Sequence, residues 1–148
     1  MTGSVRSASV FRRARRAGGV VVTLKVTDDE WGEWGEWAVL RVSGEMDLVT
    51  SPVLRRRVHE AVAEGRHSLV LDLSEVLFCD SSGVGVLIAT RRLVRSCQGR
   101  LRLILPAQGA SDVSHVNRVL GALGVRRLFD VYPDVVSAVD EESRPLSA

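Results

Sequence analysis

The stretch from His67 to Leu93 restricts the possible folds of this chain more than any other. Leu69, Val70, Leu71 and Leu73 form an apolar run with the length of a buried strand, and Val76-Leu77-Phe78-Cys79 carries it into a bend. Asp80-Ser81-Ser82-Gly83 then opens an apolar helix that runs from about Ser82 to Cys97. After Gly99 a second short apolar strand, Leu101 to Leu105, ends at Pro106. Strand, helix and strand in this length make a βαβ unit, which crosses over right-handed and sets its two strands parallel. Two adjacent hydroxyls therefore stand where a buried strand hands over to a helix N-terminus.

The rest of the chain can be placed around that unit. Val20–Val26 and Ala38–Val42 read as the strands of a hairpin, joined by the acidic, glycine-containing connection from Asp28 to Trp37. Trp31, Trp34 and Trp37 recur every third residue, a period of neither strand nor α-helix, so at most one or two of them can face the core. The remainder is an exposed ring or a contact patch. Gly44-Glu45-Met46-Asp47 leads to Thr50-Ser51-Pro52, where a hydroxyl cap precedes a proline at the first helical position. Leu54, Val58, Ala61 and Val62 then define an amphipathic helix closed by Gly65, with Arg55, Arg56 and Arg57 on its outer face. Ser111 or Ser114 caps a further helix whose apolar face is Val113, Val116, Leu120 and Leu123. Leu128–Tyr132 is a brief strand, and Pro133 opens a last helix with Val135, Val136 and Val139. The sum is an α/β domain: a small sheet, its C-terminal strands largely parallel, covered by about four helices.

At 148 residues the chain is one domain with a real core. Residues 1–19 hold Arg6, Arg12, Arg13, Arg15 and Arg16 with no acid and few large apolar groups, the composition of a mobile basic tail. The domain then spans 20–142, and 143–148 form a flexible C-terminal tail. Because the net charge of the whole chain is only +2, removing those arginines leaves a mildly acidic body, which gives no reason to expect direct nucleic-acid binding. The arginine pairs followed by Gly18 to Val22 resemble a signal peptide, but Lys25 cuts the apolar run and no small-residue cleavage pattern follows. No run approaches the roughly 18 apolar residues of a membrane span. Cys79 and Cys97 lack metal-ligand spacing and read as free thiols. A cytoplasmic protein without cofactor or metal is expected, and the sequence leaves its oligomeric state open.

In open α/β sheets, ligands and chemistry collect beyond the carboxyl ends of the strands, where Asp80-Ser81-Ser82-Gly83 sits. There Ser81 or Ser82 caps the helix, or the free amides and the helix dipole favour a phosphate on or beside a hydroxyl. A serine nucleophile is the remote third reading. The motif resembles a nucleophile elbow, yet Cys79 stands where the first glycine belongs and only Gly83 matches the second. Of the histidines, His115 with Asp112 is the one pair worth testing as a base. No phosphate-binding lysine loop or complete dinucleotide fingerprint occurs; Gly83-Val84-Gly85 lacks its third glycine.

Gly44-Glu45-Met46-Asp47, then one helix, then Leu69-Val70-Leu71-Asp72-Leu73 and Phe78-Cys79-Asp80-Ser81-Ser82-Gly83-Val84-Gly85-Val86-Leu87, resembles the anti-sigma factor antagonists of the STAS domain family. The likeness covers about residues 20–142. It implies a mixed sheet of four or five strands with helices mainly on one side. It also implies a non-enzymatic switch that binds an anti-sigma factor serine kinase and so frees a sigma factor. The kinase would phosphorylate Ser81, with Ser82 as the neighbouring acceptor, and a serine phosphatase would reverse it. Asp80, Gly83, Asp47 and Glu45 would shape the phosphosite, and Ser82, Val84 and Gly85 would meet the partner. The Trp-rich hairpin and arginine tail exceed the minimal domain, so a scaffold or interaction module without phosphorylation is the alternative.

Overall fold

A computed structural model describes residues 4–14, 21–32, 34–107 and 114–146. The chain order is β1 (Ser4–Ala14), β2 (Val21–Trp31), β3 (Trp37–Met46), α1 (Ser51–Ala63), β4 (Ser68–Cys79), α2 (Ser81–Ser96), β5 (Arg100–Ile104), α3 (His115–Ala122), a 3₁₀ turn (Arg126–Leu128), β6 (Asp130–Tyr132) and α4 (Val135–Ala138). The strands lie side by side in sequence order. β1 to β3 pair antiparallel, and β3 to β6 pair parallel, as the βαβ reading expects of β4 and β5.

Leu69-Val70-Leu71 in β4 is apolar without interruption because both faces of the sheet are covered there. Leu69, Leu71 and Leu73 join the larger core with Leu54, Val58 and Ala61 of α1, Val84 and Leu87 of α2, and Val116 and Leu120 of α3. Val70 points the other way, into a smaller cluster of Trp37, Val39, Ile104, Tyr132, Val135 and Ala138. Three helices therefore cover one face and the short α4 part of the other. Trp37 is fully buried in that second cluster, Trp31 packs on its edge, and Trp34 is 86% exposed, as the three-residue period requires.

The structure corrects several expectations. Residues 4–14, expected within a mobile tail, form a strand that satisfies the free edge of β2 and raises the sheet to six strands; residues 15–19 lie outside the described residues. Asp28, Asp29 and Glu30 belong to β2 and not to the connection. Asp28 and Asp29 are buried because each has an arginine: Arg57 lies 3.3 Å from Asp28, and Arg41 lies 2.9 Å from Asp29. Arg57 is thus buried rather than on the outer face of α1 with Arg55 and Arg56. Ser114 caps α3 through the Asn117 amide, while Ser111 and Val113 lie outside the described residues and Leu123 is exposed. The C-terminal segment is not wholly loose, since the Leu146 amide donates to the Val131 carbonyl at 2.7 Å.

Candidate functional site

β3 and β4 end together. Met46 is in register with Cys79, and the Asp80 amide extends the ladder by donating to the Met46 carbonyl at 3.0 Å. That bond brings the β3–α1 connection, which begins at Asp47, beside the first turn of α2. Gly83 lets the turn sit this close: a Cβ on it would lie 2.7 Å from Cys79 Sγ and 3.0 Å from Met46 Cβ.

Asp80, and neither serine, is the N-cap. Its Oδ1 accepts from the Ser82 amide at 2.9 Å and the Gly83 amide at 3.2 Å. No hydrogen bond of either serine hydroxyl occurs among the described residues; Ser81 is exposed and Ser82 half-buried. The cap thus leaves both hydroxyls unspent. It also takes two amides that were expected to receive a phosphate, so an anion on Ser81 would share the helix end with a carboxylate.

Asp47 organises the neighbouring loop. Its Oδ1 accepts from the amides of Val49 at 3.0 Å and Thr50 at 2.9 Å. The Thr50 hydroxyl donates to the Glu45 carbonyl at 2.7 Å and accepts from the Asp47 amide at 2.9 Å. Thr50 opens α1 without a side-chain cap bond, so its hydroxyl serves the loop rather than the helix as expected. Glu45 lies opposite Phe78 in the β3–β4 register. Val84, expected on the partner-facing surface, is instead core, because it falls on the inward side of α2. Gly85 is exposed with open space beyond it.

Sequence reasoning missed what surrounds Ser81. Leu48 is 74% and Leu77 76% exposed, with Val49 and Phe78 also open, so the β3–α1 connection and the end of β4, the two segments joined at Asp80, both carry exposed apolar side chains. Strict alternation from Leu69, Leu71 and Leu73 would have turned Leu77 inward; the register shifts in the β3–β4 ladder put Val76 and Cys79 in the buried places instead and leave Leu77 outside. His115, singled out from the sequence only as a candidate base, takes another part: its Nδ1 accepts the Cys79 amide at 3.1 Å and its ring stacks on Phe78 at 4.5 Å.

This geometry is poor for a serine hydrolase. The amides nearest Ser81 that could cradle an oxyanion are held by Asp80, and His115 spends Nδ1 on the backbone. Asp112 lies outside the described residues. Among those residues no group of three His, Cys, Asp or Glu could hold a metal ion, and no helix is long and apolar enough to cross a membrane.

Burial pushes the Cys79 thiol up to about 12, and the Asp80 charge adds to the rise. A disulfide reagent at neutral pH is accordingly expected to label the partly exposed Cys97 while sparing Cys79 until the chain unfolds. Equal labelling of both in the folded protein would contradict this burial.

Comparison with known proteins places the fold. The STAS domain family model matches residues 31–138. The chain is 45% identical over 102 residues to the anti-sigma-F factor antagonist RsfB of Mycobacterium tuberculosis, covering 69% of this chain and 80% of that one. An anti-sigma factor antagonist from Mycobacterium paratuberculosis shares the fold with a TM-score of 0.60 at 24% identity, over 88% of this chain and 92% of that one. The Bacillus cell fate determinant SpoIIAA in its phosphorylated form aligns with a TM-score of 0.54 at 21% identity, over 76% of this chain and 96% of that one. The chain belongs to the STAS domain family.

Proposed function

We propose that this protein is a non-enzymatic anti-sigma factor antagonist: its unmodified form binds an anti-sigma factor that is also a serine kinase, and phosphorylation of Ser81 ends that binding. The observation that carries the reading is the exposed, unbonded Ser81 hydroxyl, left free because Asp80 caps the helix, with exposed apolar side chains on the two segments that meet at Asp80. A modification site must be reachable by another enzyme, and a docking face needs apolar surface; both meet here. The name of the M. tuberculosis relative supports the same reading. Asp80, Gly83, Asp47 and Glu45 shape the site by fixing the cap and the adjoining loop. Ser82 and Gly85 lie on the partner-facing side of the first helical turns. A serine phosphatase resets the switch, and the protein acts in the cytoplasm.

A Ser81→Ala chain used as bait is expected to retain the partner, and identification of the captured protein as an anti-sigma factor with kinase activity supports the proposal. Capture of a partner of another class, with no such kinase, contradicts it. The part of these apolar side chains is tested by Leu48→Ser with Leu77→Ser, which removes exposed apolar surface only. Partner affinity is expected to fall at least tenfold while the thermal midpoint stays within a few degrees. Unchanged affinity would place the interface elsewhere.

A further inference from the structure

The end of the sheet opposite Ser81 carries a cavity of about 580 Å³ between the last turns of α2, the start of β5 and the segment Arg127–Asp130. α2 separates the two places: at about 1.5 Å per residue, its 16 residues span roughly 24 Å. Arg91, Arg95 and Arg127 line the cavity, with Arg100 and Arg102 beside them. Asp130 is the one carboxylate in its wall.

The arginines are not equivalent. Arg100 is paired with Glu141, bonds the Ser68 hydroxyl and stacks on Trp37. Arg102 donates to the Ala138 carbonyl at 2.6 Å and also lies over Trp37. These two are tied down and add positive field. Arg91 is fixed through Nε, which donates to the Leu128 carbonyl at 2.8 Å, leaving its terminal nitrogens without a carboxylate. Arg95 stands one helical turn further along the same face of α2, and neither Arg95 nor Arg127 makes a hydrogen bond or ion pair among the described residues. Three guanidinium groups without carboxylates thus face one volume from two walls. Guanidinium matches phosphate oxygens in a bidentate fork, and a cavity of this size holds more than a single phosphate. Val94, Leu101 and Phe129 complete the wall with apolar surface.

We propose that this cavity binds a small molecule bearing a diphosphate group, either free pyrophosphate or a diphosphate ester, independently of the state of Ser81. The phosphates bridge Arg91 and Arg95 on one wall and Arg127 on the other, and the organic part of an ester lies on the apolar wall.

Titration calorimetry of the full chain at fixed ionic strength, with inorganic pyrophosphate and separately with a nucleoside diphosphate, tests this. Saturable binding of pyrophosphate is expected, with at least tenfold weaker affinity in Arg95→Gln with Arg127→Gln. Both residues are exposed, so the fold is retained. Tighter binding of the nucleoside diphosphate identifies an organic ligand, and equal or weaker binding identifies the free ion; each supports the site. Arg55→Gln with Arg56→Gln, exposed arginines on α1, is expected to leave affinity unchanged. Unsaturable binding, no loss on removing Arg95 and Arg127, or an equal loss in the α1 control overturns the proposal. Ser81→Asp is expected to bind pyrophosphate as the parent does, and a weakened affinity there would move the anion to the other end of the sheet and overturn the assignment.

Discussion

Replacing Ser81 by aspartate is expected to lower affinity for the anti-sigma partner about a hundredfold or more, whereas Ser81→Ala is expected to bind as the parent does. A hundredfold corresponds to roughly 2.7 kcal/mol, within the range lost when a charge is desolvated against a surface fitted to a neutral group. The local structure favours a loss of that size. Asp80 already holds the Ser82 and Gly83 amides, so a new negative group on Ser81 cannot take those donors and meets the Asp80 carboxylate at close range. The exposed Leu48, Val49, Leu77 and Phe78 would have to close over the charge when the partner docks. The fold has no reason to change, because the serine hydroxyl makes no bond that modification breaks. Circular dichroism and thermal midpoint should therefore be alike in parent, Ser81→Ala and Ser81→Asp. Equal partner affinity of the two variants in a binding titration would refute electrostatic exclusion.

Arg57→Ala is expected to cost about 3–5 kcal/mol of stability. Arg57 is 8% exposed and Asp28 6%, and the guanidinium reaches Asp28 at 3.3 Å and Glu60 at 3.7 Å. Truncation removes a buried guanidinium that lies 3.3 Å from the buried Asp28 carboxylate, and breaking a buried ion pair from one side is the expensive step. Arg55→Ala and Arg56→Ala, its exposed neighbours in sequence, are expected to stay within about 0.5 kcal/mol of the parent. Urea denaturation of the three variants separates them. An Arg57→Ala midpoint indistinguishable from that of Arg55→Ala would mean that the pair contributes nothing.

The same pair shows where the sequence stops being readable. A polar residue between helix positions that face the core reads as solvent-facing, and the partner that makes burial tolerable lies 29 residues away on another element. The βαβ unit was legible because burial on both faces of the first half of β4 writes itself as the apolar run Leu69-Val70-Leu71, and covalent order alone fixes which helix crosses over. The Asp80-Ser81-Ser82-Gly83 motif was legible as a strand-to-helix junction with hydroxyls. The division of labour inside it was not, since aspartate and serine are equally good N-caps and Asp80-Ser81-Ser82 offers all three in a row. The bond from the Asp80 amide to Met46 sets the choice, and it depends on the register of two strands more than thirty residues apart. β1 was hidden for a related reason: its serine- and arginine-rich composition is that of a solvated tail, and its pairing with β2 is made by backbone groups that composition does not report. The exposure of Leu77 was not legible, because alternation from Leu69, Leu71 and Leu73 turns it inward, and the register shifts against β3 that reverse this leave no mark in the sequence.

Incubation of the chain with its captured partner and ATP, followed by mass spectrometry of the peptide that spans Cys79 to Arg91, reads the modification itself. One phosphate is expected, on Ser81, absent from Ser81→Ala, with release of the partner as it accumulates. A peptide that stays unmodified at both Ser81 and Ser82 while the partner remains active as a kinase would contradict the proposed switch.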